Sequence, residues 1–527
     1  MAARKKTNET PPEGANVNEV TDAKPDSTQS DLQTYLLATS DDGTTTPLLA
    51  LDFTSDEWIG AIYSDPRRLP LSVKDVCFHS HDGKGNPTGV VDDRIFQYLI
   101  HTQHIVVCDR IPYIYRDGYF QMDFEGTKIK TLIKACCLES FVKSTTIDRV
   151  YRLFLQEDSI ENTLEDMNAH KGWYINFENG MYDVINKKVW PHSYRTMSIN
   201  QVPWSYDPNA DHGPGIEIEK FLAHAIPNKD DREMLLEYIG LCCSIDKDQQ
   251  KMLVICGDGG TGKSTIINLI QKIVGKRNTS NVAMSNLSEK FQSINMRGKL
   301  LNSCADLEID ALDDVTMIKK LIGEDSISDS YKGKNIISFD NYAKLLFSTN
   351  ELPLVRNEKT QGFYRRLMVL TMNEKPKHRD PRLQEKLEKE IPYLIFLAME
   401  ALHRMYKRGY IIESANSEAS VRQLRNDSDT IEAFLTTKCI IGGSENRIER
   451  AELYREYSAY CELEERQAHK KNAFLKALRN KGFEEVKSHG DWFFAGISYR
   501  GDNISGNGEL VPIPEGQTLD GIPFEDL

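Results

Sequence analysis

The sequence predicts an α/β protein, and three features of its middle third carry this prediction. An apolar, strand-like run at Met252–Cys256 enters a glycine-rich loop, and TIINLIQKIV leaves the loop with apolar residues at helical spacing. Two further apolar runs, KLLN and AKLLF, lead into polar and acidic residues. Alternating strands and helices of this kind are typical of α/β folds.

The glycine-rich loop, CGDGGTGKST, fits the pattern G-x-x-x-x-G-K-[ST]. Glycines let the backbone come close enough to a polyphosphate for its N–H groups to bind it, and the following helix adds its positive end. We predict that Lys263 contacts the β- and γ-phosphates of a nucleoside triphosphate and that the Ser264 hydroxyl binds Mg²⁺. A glycine-rich turn before an ordinary helix is the alternative. The predicted nucleotide-binding residues are Gly257, Asp258, Gly259, Gly260, Thr261, Gly262, Lys263, Ser264 and Thr265.

A nucleotide-hydrolysing core also needs acids that hold the metal ion and orient water. The strand-like run Lys299–Asn302 leads to Asp306 and Glu308. We predict that Asp306 binds Mg²⁺ and that Glu308, or Asp306 acting alone, polarises the attacking water. An acidic loop after a core strand is the alternative interpretation.

Later positions complete the predicted site. Asn350 ends an apolar strand, where its amide can contact the γ-phosphate or the attacking water. Arg365 and Arg366 precede another apolar strand, where an arginine can complete the site of a neighbouring subunit or form a surface basic pair. Lys332 and Lys334 stand between two β-prone runs, which indicates a hairpin tip suited to a phosphate backbone, or a solvated turn.

Composition limits the class of protein. The 527 residues are enough for about three domains, and 40% hydrophobic with 27% charged residues are values of a soluble globular protein. No apolar run is long enough for a membrane span, and residues 1–20 lack a signal peptide's apolar core. The ten cysteines form no C-x-x-C pair, which favours reduced thiols in a cytoplasmic protein. The net charge of −14 includes six acids at 501–527, so it does not exclude a nucleic-acid partner.

The order of these motifs resembles that of the superfamily 3 helicases, and within them the phage and plasmid primase-helicase group related to the poxvirus primase-helicase. The resemblance rests on GDGGTGKST, GKLLNSCADLE, IKKLIGEDSISDSYKGK, AKLLFSTNELP and FYRRL, and it extends over residues 160–500. It implies an AAA+-like P-loop ATPase core that assembles as a ring, usually a hexamer, with ATP at the subunit interfaces.

The resemblance also implies roles for individual residues. Lys263 and Ser264 would bind ATP and Mg²⁺, Asp306 matches the Walker B position and Asn350 matches the sensor position. Lys332 and Lys334 match a DNA-tracking hairpin, and Arg366 is a better match than Arg365 to an arginine finger that acts on the next subunit.

The sequence departs from the family pattern in two ways. Asp306 and Glu308 are separated by one residue where many relatives have adjacent acids, which leaves the catalytic base open. The chain before residue 160 has neither zinc-binding cysteines nor a paired-acid primase signature. It looks like a helicase that works with a separate primase.

The C-terminal region looks like the winged-helix module of the same group. AELYREYSAYCELEE and KKNAFLKALRNKGF have apolar residues at helical spacing, and the second is basic. EEVKSHGDWFFAGISY indicates a two-stranded wing that turns at His489-Gly490-Asp491.

These patterns divide the chain into segments. The predicted segments are a disordered arm at 1–34, an N-terminal α+β module at 35–215, a helical cap or oligomerisation segment at 216–250, the ATPase core at 251–375, closing helices at 376–425, a winged-helix DNA-binding domain at 426–500 and an acidic flexible tail at 501–527.

We therefore expect an ATP-hydrolysing, ring-forming helicase that acts on single-stranded or forked DNA during replication of a phage, plasmid or other mobile element. Its expected location is the cytoplasm of a bacterial host, without a membrane partner. One alternative is an origin-binding initiator whose ATPase drives assembly and melting. Another is a P-loop kinase or protein-remodelling ATPase.

Overall fold

The computed structural model describes residues 37–39, 45–47 and 65–500, apart from 165, 169, 306–310, 313, 356–360, 444–445, 465 and 467. The strands are β1 Leu37–Thr39, β2 Thr45–Pro47, β3 His79–His81, β4 Pro87–Val90, β5 Ile105–Cys108, β6 Ile111–Arg116, β7 Tyr119–Met122, β8 Glu161–Asn162, β9 Tyr174–Phe177, β10 Gly180–Asp183, β11 Lys188–Trp190, β12 Met252–Cys256, β13 Thr279–Ser280, β14 Leu301–Cys304, β15 Ala311–Leu312, β16 Ile327–Asp329, β17 Ile337–Phe339, β18 Lys344–Thr349, β19 Leu354–Val355, β20 Leu367–Thr371, β21 Cys439–Ile441, β22 Arg447–Glu449, β23 Glu485–Ser488, β24 Asp491–Ala495 and β25 Ile497–Tyr499. The α-helices are α1 Leu71–Phe78, α2 Asp92–Gln103, α3 Thr127–Cys136, α4 Ser144–Phe154, α5 Ile216–Ala225, α6 Lys229–Cys242, α7 Lys263–Val274, α8 Thr316–Ile322, α9 Gln361–Tyr364, α10 Leu383–Lys389, α11 Ile391–Arg408, α12 Ala415–Ser428, α13 Thr430–Lys438, α14 Arg450–Leu463 and α15 Lys471–Asn480. The predicted arm at 1–34 and tail at 501–527 lie outside the described residues.

The chain divides into two compact units, residues 1–116 with 120–163 and residues 117–119 with 164–527. The sequence placed residues 164–215 in the N-terminal module, but they cluster with the second unit. The reason is hydrophobic packing, because β9 and β10 bury Ile175, Phe177 and Tyr182 in the main core of that unit.

The first unit packs helices against a four-stranded sheet in the order β7-β6-β5-β8. Its core includes Ile95, Leu99, Ile129, Ile133 and Phe154 from α2, α3 and α4. The turn between β5 and β6 contains Asp109 and Arg110, whose φ angles are 52° and 61°. Neither residue is a glycine, so the sequence carries no strong signal for this turn.

A five-stranded parallel sheet in the order β13-β14-β18-β12-β20 lies at the centre of the second unit. Along β12, Leu253 and Ile255 enter one hydrophobic core, whereas Met252 and Val254 enter another. A parallel sheet that is buried on both faces has strands that are apolar at successive positions. The predicted α/β class is confirmed.

Helices α6 and α11 pack side by side in the core on one face of this sheet. A Cβ at Gly240 of α6 would lie 2.8 Å from the Ala398 carbonyl oxygen, so the glycine permits a close approach of the two backbones. Arg408 of α11 donates to the buried carboxylate of Glu237 at 2.6 Å. Burial holds the pKa of Glu237 above its usual value, although the Arg408 guanidinium acts in the opposite direction.

Residues 430–499 form a smaller hydrophobic cluster within the second unit. Helices α13, α14 and α15 pack with the three-stranded antiparallel sheet β22-β24-β23. Tyr457 of α14 stacks on Phe474 of α15, with the ring centroids 4.4 Å apart. The helix, helix and hairpin follow one another in the predicted order, and the hairpin turns at His489 and Gly490. Among the described helices, none combines the length and apolarity needed to cross a bilayer.

Candidate nucleotide-binding site

The glycine-rich loop connects β12 to α7, and its backbone conformation requires glycine at two positions. Gly257 has a φ of 148°, and a Cβ there would lie 2.0 Å from the Met372 carbonyl oxygen. Gly262 has a φ of 102° and immediately precedes Lys263, the first residue of α7. Side chains of L-residues disfavour these conformations. The strand, loop and helix therefore follow the order that the motif predicts.

The amino end of α7 lies at this loop. The first N–H groups of an α-helix have no partner within the helix, and the helix dipole places partial positive charge there. Ser264 and Thr265 belong to this first turn and line the adjacent cleft. The local electrostatics therefore favour an anion.

Lys263 is 6% exposed, and its ammonium group donates to three acceptors. These are the carbonyl oxygens of Gly257 and Asp258, the latter at 2.9 Å, and Oδ1 of Asn350 at 3.0 Å. The structure thus brings together two predicted site residues that follow the neighbouring parallel strands β12 and β18. Because an ammonium is a point charge with rotatable donors, it can exchange these acceptors for phosphate oxygens.

A cleft of about 910 Å³ opens beside the loop. This volume lies within the range of small-molecule sites, about 300–1,000 Å³. Its walls come from four parts of the second unit besides the loop: α5, the end of β18, the segment after β20 and the start of α10. The loop and helix contribute Gly259, Gly260, Thr261, Gly262, Lys263, Ser264 and Thr265, and the other walls include Phe221, His224, Asn350, Arg379 and Leu383. These residues fit a nucleotide, because Phe221 of α5 and Leu383 of α10 provide an apolar wall and Lys263 provides a positive charge.

The segment after β20 is a part of the site that the sequence analysis missed. We call residues 373–382 the basic strap, because they include Lys375, Lys377 and Arg379. Lys375 forms an ion pair with Asp258 of the loop at 2.8 Å, and this contact lowers the pKa of the Asp258 carboxyl. The available sequence signal was the run KPKHR, which has no recognised motif.

The predicted acids, Asp306 and Glu308, lie outside the described residues. The strand that leads to them, β14, ends at Cys304, which pairs with Phe347 of β18. The carboxyl ends of parallel strands lie at one edge of a sheet, and the glycine-rich loop leaves β12 at that same edge. The roles of both acids stay predictions.

The predicted arginine pair lies at the opposite edge of the sheet. Leu367, which follows Arg366, pairs with the first residue of β12, whereas Thr371 pairs with the last. The arginines are therefore about 16 Å from the loop edge, a separation too large for direct contact with the same cleft. Arg366 donates to the Gly362 carbonyl oxygen at 2.7 Å and to Oε1 of Gln250 at 3.1 Å.

Arg365 and Arg366 also differ in exposure. The Arg365 side chain is exposed, whereas that of Arg366 is partly buried. Burial and the adjacent Arg365 charge lower the pKa of Arg366. Exposure favours Arg365 as the residue able to reach another subunit, whereas the family resemblance favours Arg366.

The predicted lysine hairpin is present as an antiparallel pair, β16 and β17, in which Asp329 pairs with Ile337. Lys332 and Lys334 are exposed in the connection between the strands, beside Ile336, which is 75% exposed. The Asp329 carboxylate holds the end of β16 from which this connection starts, because it accepts from the Ser293 hydroxyl at 2.7 Å. The start of the connection is thus held in place, and its two lysines are exposed.

The basic face predicted on α15 is smaller than the sequence suggests. Lys481 pairs with Glu432 and Asp429, and Arg479 pairs with Glu485 at 3.0 Å. Lys471 and Lys476 are exposed and form no ion pair with any other residue that the structure describes.

His192 is a packing residue, because its Nε2 lies 2.8 Å from the Phe177 carbonyl oxygen.

Two family models match the chain over these elements. Residues 97–227 match the family described as "D5 N terminal like", and residues 255–366 match a family of unknown function, DUF5906. A mimivirus protein named "Putative helicase L207/L206", from Acanthamoeba polyphaga mimivirus, is 27% identical over 216 residues. The chain is primase-helicase-like. The resemblance stated from the motifs is confirmed, and the 255–366 match contains every predicted site residue from Gly257 to Arg366.

The extent of these matches is limited. The aligned region is 38% of this primase-helicase-like chain and 21% of the mimivirus protein, so the chain spans about a fifth of that relative. Among solved structures, the apo C-terminal region of NrS-1 (305–718) has a TM-score of 0.44 at 12% identity and covers 75% of this chain and 96% of that chain. An A-form apo structure of the same region has a TM-score of 0.42 at 11% identity, with the same coverage.

Proposed function

We propose that this primase-helicase-like chain is an ATP-dependent DNA helicase that works as a ring in the replication of a phage, plasmid or other mobile element. The observation that carries the proposal is the hydrogen bond from Lys263 to Asn350, two residues 87 positions apart in the sequence. It joins the predicted phosphate-binding lysine and the predicted sensor residue beside a cleft of nucleotide size.

ATP would bind in this cleft with its phosphates along the glycine-rich loop. Lys263 would exchange its carbonyl acceptors for phosphate oxygens, and the Ser264 hydroxyl and Asp306 would hold Mg²⁺. A bound Mg²⁺ would neutralise phosphate charge during hydrolysis. Asn350 would orient the γ-phosphate or the attacking water, and Glu308 or Asp306 would polarise that water.

An AAA+-like ring, with a hexamer as the expected form, explains why the arginine pair lies far from the cleft of its own chain. In the sheet, β12 lies between β18, which Asn350 follows, and β20, which the arginine pair precedes. The register of β12 and β20 places the loop and the arginines at opposite ends of these two strands. When such subunits follow one another around a ring, the arginine edge of one can meet the cleft of the next, because heterologous interfaces generate closed rings.

Two exposed basic features support DNA as the substrate. The hairpin that carries Lys332 and Lys334 can contact the phosphate backbone of DNA. Lysines neutralise phosphate charge and so bind the backbone without sequence preference. Residues 430–499 would act as a winged-helix domain, with Lys471 and Lys476 of α15 facing DNA. A separate primase would supply primers, and the host cytoplasm is the proposed location.

Strand displacement on a forked DNA substrate tests the proposal. Wild-type protein with ATP and Mg²⁺ should separate the strands, and Lys263→Ala should abolish separation and ATP hydrolysis while leaving the thermal unfolding profile intact. Lys407→Ala removes one exposed lysine from α11 and serves as the matched control. A wild-type protein that hydrolyses ATP but separates no fork under any salt condition would contradict a helicase function.

An origin-binding initiator is the second candidate, and the helix and hairpin order of residues 430–499 favours it. An initiator would bind one duplex sequence far more tightly than others in the absence of ATP, since base contacts rather than phosphate contacts give specificity. In the test, labelled duplex DNA from the mobile element competes with random duplexes for the protein at one salt concentration. An initiator should prefer the element's DNA, whereas a helicase should bind both kinds of duplex with similar affinity.

A further inference from the structure

The basic strap, residues 373–382, brings an arginine to the cleft from within the same chain. A Cβ at Gly260, in the middle of the glycine-rich loop, would lie 3.0 Å from Nη2 of Arg379. Arg379 also lines the cleft, together with Lys263 and Asn350. The absence of a side chain at Gly260 therefore leaves room for this guanidinium group against the loop.

The charge of Arg379 has no counter-ion in the described part of the chain. The nearest acid in sequence, Asp380, is engaged by Lys386 at 2.7 Å. Asp258, the acid of the loop, is engaged by Lys375 at 2.8 Å. Both carboxylates beside the cleft are thus already paired, and the Arg379 charge is left for an anion that enters it.

Lys375 of the basic strap contacts the same loop as Arg379. Its ion pair with Asp258 ties the start of the basic strap to the loop, four residues before Arg379. The same contact neutralises a carboxylate that would otherwise repel a phosphate group. A phosphate group that enters between the loop and Arg379 therefore meets an Asp258 carboxylate that is already paired.

We propose that Arg379 binds the terminal phosphate of the nucleotide in its own subunit, an inference that rests on the proposed nucleotide binding. Lys263, the expected partner of the β- and γ-phosphates, places its ammonium group at the carbonyls of Gly257 and Asp258. This marks the early part of the loop as the terminal-phosphate end. Arg379 lies beside Gly260, which is two residues after Asp258 and precedes the first turn of α7. A guanidinium fork matches two phosphate oxygens at once.

Nucleotide titrations with fluorescent mant-ATP and mant-ADP test this role on the full chain. Arg379→Ala should weaken mant-ATP binding by roughly tenfold to a hundredfold, the range of one charge-assisted contact, and mant-ADP binding by less than about threefold. Arg379→Lys keeps the charge without the fork and should lie between wild type and Arg379→Ala. Lys377 is an exposed residue of the basic strap that does not line the cleft, so Lys377→Ala should bind both nucleotides as wild type does.

The controls separate this inference from the proposed function. Wild-type protein that binds neither nucleotide would refute the nucleotide site itself. If Lys263→Ala removes nucleotide binding and Arg379→Ala leaves it unchanged, only the role of Arg379 is refuted. Equal losses for mant-ATP and mant-ADP, or an equal loss in Lys377→Ala, would also overturn it, because the effect would then not be specific to the terminal phosphate. Circular dichroism melting checks that each variant is folded.

Discussion

Gly257 and Gly259 occupy the same loop but differ in what surrounds them. A Cβ at Gly257 would lie 2.0 Å from the Met372 carbonyl oxygen, whereas a Cβ at Gly259 would have nothing within 4 Å. We expect Gly257→Ala to lower the free energy of unfolding by about 2–4 kcal/mol, because backbone atoms must move, and to abolish ATP binding. Gly259→Ala should change it by about 1 kcal/mol or less. Urea unfolding measures both, and equal stabilities would contradict the close packing at Gly257.

The sequence predicted the site residues that belong to a motif or follow a buried strand. It did not predict Arg379, which reaches the site on the basic strap. Lys263 and Asn350 could be assigned because each follows a buried strand, and parallel strand ends meet at one edge. Arg379 follows β20 as well, but only the path of the basic strap brings it to Gly260. Nothing in the sequence specifies that path, since an exposed loop has no hydrophobic periodicity.

At the scale of elements, the pair α6 and α11 gives a prediction on stability and pH. Arg408→Ala leaves the buried Glu237 carboxylate without its cation, so we expect a loss of about 3 kcal/mol in the free energy of unfolding at pH 7.5. Burial already raises the pKa of Glu237 in the folded state, and removing Arg408 raises it further. The folded variant then takes up a proton more readily than the wild type, so its deficit should shrink as the pH falls to 5.5.

Arg404 of the same helix provides the control for that experiment. It forms a bidentate pair with Glu233, in which the arginine side chain is 49% exposed. Solvent screens such a pair, so Arg404→Ala should cost about 1 kcal/mol or less at either pH. Chemical denaturation of both variants at the two pH values measures the difference. A deficit of Arg408→Ala that grows on acidification would contradict a buried, ionised Glu237.

The hairpin β16 and β17 gives a second prediction at this scale. Replacing Lys332 and Lys334 by alanine removes two exposed cations without touching the Asp329 anchor, so basal ATP hydrolysis should be retained. Stimulation of ATP hydrolysis by single-stranded DNA should fall about tenfold or more, because phosphate contacts dominate such binding. Lys229→Ala with Lys407→Ala removes the same charge elsewhere and should preserve stimulation. Unchanged stimulation in the hairpin variant would remove its assigned role.

Elements were predicted well where hydrophobic periodicity or glycine marked them, and poorly where neither did. The hairpin at 327–339 has Gly333 in its tip with a φ of 77°, and its β-prone flanks made it recognisable. The turn at Asp109 and Arg110 has the same left-handed conformation without a glycine. The boundary between the units was misplaced for a related reason, because the packing of β9 and β10 on a later core is a long-range contact.

At the scale of the whole molecule, the sheet separates two halves of one predicted active site. The loop with Lys263 lies at the carboxyl edge, and Arg365 with Arg366 lies at the amino edge. One subunit therefore cannot supply both halves to the same nucleotide. In the proposed ring, each cleft would be completed by the arginine pair of a neighbouring subunit.

Mixing subunits tests this division directly. A Lys263→Ala subunit should lack a working loop but keep its arginines, and an Arg365→Ala subunit should keep its loop but lack the exposed arginine. Neither alone should hydrolyse ATP at more than about a hundredth of the wild-type rate, since arginine fingers and P-loop lysines each contribute factors of this size or larger. Mixed at equal concentration, the two should recover activity where an intact loop meets an intact arginine. Arg366→Ala mixed in the same way shows which arginine reaches across, because only the residue that acts on the neighbouring cleft should complement. Activity that stays at the level of the separate variants in both mixtures, while light scattering shows a mixed assembly, would mean that the arginines do not act between subunits.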